Sequence, residues 1–313
     1  APLSAPSNTT PPSTAATVNR TTKPPGSSLK RNIMIKDDIA DQLVYSTVKI
    51  TCQNSSSVST GTGFFMRKEL EDGKNITAIV TNKHAVNGYD NAEIVLCQAN
   101  TEGAADDENH VTIKVPIDAS HCVFHPDSQV DICFVFINDA IEMAESKSMS
   151  VFYRCIGMDM TLLEKDIDSI TSIEDVIMIG YPSGIMDQYN NKTVVRKGIT
   201  ATSIKLRYDG KPDFLVDIAT FPGSSGSPVF LRREGLEKET NEKGLTLGIK
   251  PSYSLLGIIH SSYTRKENGE IVVKDIPTSM KPFVEYSIPL NLGIATTTDK
   301  ILELFDYVES ISK

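Results

Sequence analysis

From about residue 40 onward the apolar positions come in short bursts separated by Gly, Asn, Asp and Pro. The segments VYSTVKITC, GTGFFMR, ITAIVT, AEIVLCQ, VTIKVPI, VDICFVFI, DVIMIGYP, KTVVRKGITATSIKL, DFLVDIA, SPVFL, LLGIIHSS and FVEYSIP are rich in β-branched or aromatic residues. Each reads as a strand. A dozen short strands with few long helices predict sandwiches or barrels rather than a parallel α/β sheet. Two stretches, NDAIEMAESKS and LLEKDIDSI, read as helical and divide the strands into two groups. The tail TTTDKILELFDYVESI carries Ile301, Leu304, Phe305, Val308 and Ile311 at helical spacing, with Thr296 and Asp299 placed as a capping box. That helix is expected to pack on the second strand group and to leave no room for a further domain.

Residues 1 to about 30 lack this texture. Six prolines stand among Ser, Thr and Ala, and Leu3 and Val18 are the only large aliphatics before Leu29. Such a segment cannot bury enough apolar surface to offset its ordering entropy, so a disordered tail or spacer is expected.

Composition narrows the function classes. With 40% apolar and 23% charged residues the chain has an ordinary globular balance. A net charge of −9 without a Lys/Arg-rich run argues against a nucleic-acid binder or a polybasic membrane anchor. No apolar run reaches the roughly 18 to 20 residues of a membrane span. The five cysteines are odd in number and widely spaced, which speaks against a disulfide framework and leans towards a reducing compartment. The start at Ala1 rather than Met implies a removed beginning, so localisation stays open. His121, Cys122 and His125 in HCVFH are the one metal candidate. On a strand His121 and Cys122 face opposite sides, so no metal site is expected.

Chemistry must then come from side chains. A hydroxyl is a weak nucleophile at neutral pH and needs a base, which needs an orienting partner. His84, in ITAIVTNKHAV, stands where a strand ends and the chain turns, a place that presents an imidazole or merely lines a strand end. Asp131 directly precedes the apolar run ICFVFI, where a carboxylate must find a partner. Asp127, slightly earlier, reads as a turn residue. FPGSSGSPVF holds Ser224 and Ser225 between two glycines.

The segments GTGFF, TNKHAV, VDICFVF, GYPSG, VRKGIT and VDIATFPGSSGSPVF occur in the order seen in trypsin-like serine peptidases. The chain most resembles the bacterial branch that includes the HtrA proteases, without a PDZ domain. The resemblance spans about residues 45 to 265, with His, Asp and Ser in chymotrypsin-type order. It implies an all-β fold of two orthogonal six-stranded antiparallel β-barrels with a C-terminal helix. The expected organisation is a tail over 1–38, an N-terminal barrel over 39–150, and a C-terminal barrel with the helix over 151–313. The implied activity is peptide-bond hydrolysis, with no metal or organic cofactor and a protein or peptide as substrate.

Carried onto this chain, the family pattern makes Ser225 the nucleophile and Ser224 the variable position. His84 is the implied base and Asp131 its orienting acid. The N–H groups of Gly223 and Ser225 form the implied oxyanion hole, where a side chain on Gly223 would obstruct the turn. Digestive relatives carry an acid at the Ser224 position, which pairs with a newly released amino terminus. Ser224 cannot, and no IVGG-like start is visible, so activation of that kind is not expected. Ala219, six residues before Ser225, lies at the implied base of the specificity pocket. It favours a small-to-medium uncharged P1 side chain over Lys or Arg. The LLGIIHSS strand should pair with the substrate backbone. His260 on it has three readings: support for Asp131, a pocket residue, or neither. The competing function is a catalytically silent protease-like module that binds extended peptides or a partner protein.

Overall fold

The first strand group forms one sheet. Its members are β1 (Thr47–Gln53), β2 (Val58–Glu69), β3 (Asn75–Thr81), β4 (Asn91–Ala99), β5 (Ala105–Pro116), β6 (Cys122–Phe124), β7 (Cys133–Val135), β8 (Val151–Phe152) and β9 (Ile156–Gly157). They run in the order β5-β4-β1-β2-β3-β7-β6, with β8 beside β4 and β9 parallel to β2. The second group is β10 (Asp175–Gly180), β11 (Val194–Thr200), β12 (Asp213–Asp217), β13 (Pro228–Asn241), β14 (Gly244–Glu270) and β15 (Phe283–Thr297). It closes as an antiparallel six-stranded barrel, β10-β11-β12-β15-β14-β13. The chain passes from one sheet to the other between Gly157 and Asp175. The computed structural model describes residues 38–162, 164–241, 244–270 and 283–312; the expected tail lies outside them except for Asp38.

Alternation explains the strands. On β1 the buried Val48, Ile50 and Cys52 face one core with Phe65, Ile79, Ile94, Ile113 and Val135. The barrel interior holds Val176, Met178, Phe214, Val216, Val229, Leu256 and Ile259. A third core lies between the groups, where Phe64, Met66 and Phe134 of the first sheet meet Ile179, Phe230 and Ile258 of the barrel. Each fully buried aliphatic or aromatic side chain contributes about 1.5–3 kcal/mol relative to exposure, so this shared core is a substantial bond between the groups.

The C-terminal helix, Thr298–Ile311, lies on that third core. Ile301, Leu304, Phe305 and Val308 are buried, as their spacing predicts, whereas Ile311 is exposed. The helix therefore touches both strand groups, not the second alone. The Phe305 ring packs tilted against that of Phe134, with centroids 4.5 Å apart, and Lys68 on β2 reaches Asp306 at 2.6 Å and Glu309 at 2.9 Å. The expected capping box is not formed. Thr296 still belongs to β15, and its buried hydroxyl donates to Asp213 at 2.8 Å. Thr297 is the N-cap, and its hydroxyl donates to the Pro212 carbonyl instead of serving the helix.

Other boundaries shift for local reasons. Val44 to Ser46, expected in a strand, finish a helix over Ile39–Ser46, which Asp38 caps by accepting the Ala40 N–H at 2.9 Å. VDICFVFI keeps only Cys133–Val135 as strand, and the expected long strand from Lys192 onward ends at Thr200. Among the described residues no helix is long and apolar enough to cross a membrane.

Candidate active site

Two glycines shape the turn that carries the paired serines. Gly223 and Gly226 have φ of 89° and 87°, in the left-handed region where only glycine is unstrained. A Cβ on Gly223 would lie 2.5 Å from the Tyr181 carbonyl oxygen, and one on Gly226 only 1.8 Å from the Thr62 carbonyl oxygen. Both positions are closed to any larger residue. Within the turn the serines have different surroundings. Ser224 is 1% exposed, donates its N–H to the Phe221 carbonyl at 2.9 Å and accepts the Phe221 N–H on its hydroxyl at 3.2 Å. Ser225 is half-buried, with its hydroxyl uncommitted among the described residues. The N–H groups of Gly223 and Ser225 likewise have no hydrogen-bond partner among the described residues, whereas those of Ser224, Gly226 and Ser227 are bonded.

The opposite wall of the cleft is built from the first sheet. His84 sits in the single turn of helix Lys83–Val86 that follows β3. Its ring Nδ1 pairs with the Asp131 Oδ2, and its backbone N–H donates to the Asp131 Oδ1 at 3.0 Å. The imidazole is exposed, the carboxylate less so. Asp127 behaves as a turn residue, its carboxylate accepting the Gln129 N–H at 2.8 Å. His121 pairs with Asp118, and the His125 Nδ1 accepts the Asp127 N–H, so neither shares a site with Cys122.

Thr62, the middle residue of the GTG in β2, joins the two walls. Its N–H donates to the Ser225 carbonyl at 2.8 Å and its hydroxyl to the Gly223 carbonyl at 2.8 Å. That hydroxyl also accepts the Tyr181 N–H at 3.1 Å, and the Thr62 carbonyl accepts the Thr81 hydroxyl at 2.7 Å. Gly61 lies between the walls: a Cβ there would stand 3.1 Å from the Ala85 Cβ and 3.6 Å from the Ser225 carbonyl oxygen. Ser225 and the residue next to His84 thus flank one point. No hydrogen bond joins His84 to Ser225 among the described residues. Thr62 and the buried Asn82, whose amide donates to the Asp131 carbonyl at 2.7 Å, were not singled out by sequence reasoning. A threonine between two glycines, and an asparagine two before the histidine, were the available signals.

The residues expected to set specificity lie on the second strand group. Ala219 is half-buried, between buried Ile218 and Thr220. β14 is tied to the serine turn, for Gly226 donates to the Ile259 carbonyl and Ile259 to the Ser227 carbonyl. His260 follows at a bulge. Its Nδ1 meets the Ser261 hydroxyl at 2.9 Å, and its Nε2 is 3.5 Å from the Asp213 Oδ1, an ion-pair distance too long for a good hydrogen bond. It makes no contact with Asp131 among the described residues. Burial alone would push the Asp213 carboxyl up, but His260 and Thr296 outweigh it and hold it below the usual range.

A model of the trypsin-like peptidase domain matches residues 61–236, more than half of the chain. No match was found among curated proteins. Solved structures similar to the chain include a serine endoprotease from Yersinia pestis, 16% identical with a TM-score of 0.42, covering 85% of this chain and 63% of that one. The chain therefore spans under two thirds of that protein. The thermostable serine protease AL20 from an extremophilic microorganism is 12% identical with a TM-score of 0.44, covering 85% of this chain and 98% of that one. Tobacco etch virus protease, solved with its product, is 12% identical with a TM-score of 0.39, covering 71% and 70%. On that family match, whose span takes in His84, Asp131 and Ser225, the chain belongs to the trypsin-like peptidase family.

Proposed function

We propose that the chain cleaves peptide bonds with Ser225 as nucleophile, His84 as general base and then general acid, and Asp131 as the group that fixes the His84 tautomer. The observation that carries this reading is the two-point grip of Asp131 on His84, through the ring Nδ1 and the backbone N–H. With Nδ1–H bound to the carboxylate, Nε2 is the free lone pair that accepts the Ser225 proton. The same carboxylate stabilises the imidazolium that results. Attack of the Ser225 Oγ on the scissile carbonyl gives a tetrahedral oxyanion. The uncommitted N–H groups of Gly223 and Ser225 are the donors for it. Collapse expels the amine, which takes the proton from His84, and water repeats the sequence on the acyl-enzyme. The reading has His84 and Ser225 close on each other in the substrate complex, where catalytic hydrogen bonds commonly tighten.

The substrate is an extended peptide. Beyond Ile259, β14 pairs only with β15 among the described residues, which leaves Ser261 to Tyr263 an open edge beside the serine turn for an added strand. Ala219 supports a small-to-medium uncharged P1 side chain. The His260–Asp213 pair supports a second specificity reading, in which His260, held by Asp213, accepts an acidic P1 residue. The rival function, a silent peptide-binding module, is separated by a fluorophosphonate probe. Wild type and Ser224→Ala are expected to be labelled and Ser225→Ala spared, because only Ser225 has a half-exposed, uncommitted hydroxyl. Labelling of Ser225→Ala, or none of the wild type, overturns the proposal.

A further inference from the structure

We propose that Asn82 and Lys83 are positioning residues that hold the 125–131 loop so that Asp131 stays against His84. The inference rests on the triad reading above and adds the parts that keep its acid and base in register. Asn82 is completely buried and occupies the N-cap of the His84 turn. An N-cap asparagine ordinarily turns its Oδ1 towards the first N–H groups of the helix. Asn82 makes no such bond. Its Nδ2 donates instead to the Asp131 carbonyl at 2.7 Å, and its Oδ1 is buried without a partner among the described residues. The amide cannot be reversed, since that would set two carbonyl oxygens against each other. Asn82 thus forgoes its local helical role and leaves an acceptor unsatisfied, both of which cost stability, in order to grip the residue that carries the acid.

Lys83 grips the other end of the same loop. Its ammonium donates to the His125 carbonyl at 2.9 Å and to the Asp127 carbonyl at 3.0 Å. His84 then takes the Asp131 carboxylate at both oxygens. Three consecutive side chains from one turn therefore hold one loop at His125, Asp127 and Asp131. None of the grips of Asn82 or Lys83 touches a reacting atom. What they supply is fixed placement of the carboxylate beneath the imidazole.

The test combines steady-state hydrolysis of a fluorogenic peptide with the proton resonance of the His84 Nδ1–H. Asn82→Ala is expected to lower kcat by up to about 10²-fold, the scale of a misplacement near 1 Å, with KM unchanged. The Nδ1–H resonance should move or broaden as the Asp131 contact loosens. Lys83→Met should act in the same direction and more weakly. As a control, Thr161→Val removes a part-buried hydrogen bond to the Met158 carbonyl at 2.6 Å, on the connection between the two sheets. It should lose stability while keeping kcat and the resonance. A folded Asn82→Ala with wild-type kcat and an unmoved resonance overturns the proposal. Should that variant not fold, an unchanged resonance and kcat in Lys83→Met overturn it instead. If the wild type cleaves no peptide, the triad reading fails on its own, and the resonance still decides whether Asn82 holds the pair.

Discussion

Thr62 shows how one hydroxyl can set the geometry of the serine turn. It donates to the Gly223 carbonyl and accepts from the Tyr181 N–H, so it fixes the Gly223–Ser224 peptide, which lies between the two proposed oxyanion donors. Thr62→Val keeps the shape and removes both bonds. The Gly223 carbonyl and the Tyr181 N–H are then left without their partner, at about 1–3 kcal/mol for each buried group so stranded. The expected outcome is a lower urea midpoint and a fall in kcat larger than any change in KM. A kcat equal to that of wild type would show that the turn holds its shape without Thr62. The residues proposed to do chemistry could be singled out in the sequence because each sits in a local pattern: His84 at a strand end, Asp131 before an apolar run, Ser225 between glycines. Thr62 was not, because its partner Gly223 lies 161 residues away and nothing in GTGFF records it. His260 was placed only as far as its strand. The acid that it faces, Asp213, could not be read from LLGIIHSS.

The C-terminal helix is the element whose consequences reach the site. It lies over the core beneath β7, and Phe305 packs at a tilt against Phe134, three residues after Asp131. Its existence and buried face were legible from the spacing of Ile301, Leu304, Phe305 and Val308. Its start was not, because the hydroxyl of Thr296 is drawn away by a tertiary partner. The loop before Asp131 is wedged against this helix through His125, which is 4% exposed with its Nε2 at 3.6 Å from Glu303. Burial pushes the His125 imidazole below its ordinary range. Glu303 opposes the shift, and Lys83 and Lys300 reinforce it. The Asp127 N–H also points at Nδ1, so that nitrogen must stay unprotonated to accept it. The unfolded chain takes up a proton at this residue near pH 6.5, and the folded chain resists until lower pH. Because the unfolded state then binds more protons, stability falls as pH drops below about 6.5, by at most about 1.4 kcal/mol per pH unit from this group. Denaturation of wild type and His125→Gln at about pH 7.5 and about pH 5.5 measures it. The wild type should lose more stability on acidification. Equal losses would show that His125 is not the group being charged.

The two strand groups also meet at a second contact, outside the shared core. Lys192, in the connection from β10 to β11, reaches across to Asp107 on β5 at 2.7 Å and to the Cys97 Sγ on β4 at 3.3 Å. Its ammonium also lies 4.4 Å from the centre of the Tyr45 ring, and the Tyr45 hydroxyl donates to the Asp107 carboxylate at 3.1 Å. Beside it Asn191, with φ of 52°, donates its side-chain amide to the Val95 carbonyl at 2.9 Å. A left-handed residue is tolerated there because asparagine accepts that conformation more readily than most. The lysine side chain is 18% exposed and the aspartate 35%, so the pair is screened less than a surface salt bridge and desolvated less than a core one. Its worth is decided by whether the ammonium also serves the thiol and the ring. If it does, Lys192→Met and Asp107→Asn are coupled, since each leaves the other's partners stranded. A double-mutant cycle by urea denaturation should then give a coupling of about 0.5–3 kcal/mol, only weakly reduced by added salt. A coupling near zero that salt does not alter would mean the ammonium and carboxylate are solvated separately, and that the shared core alone holds the cleft together.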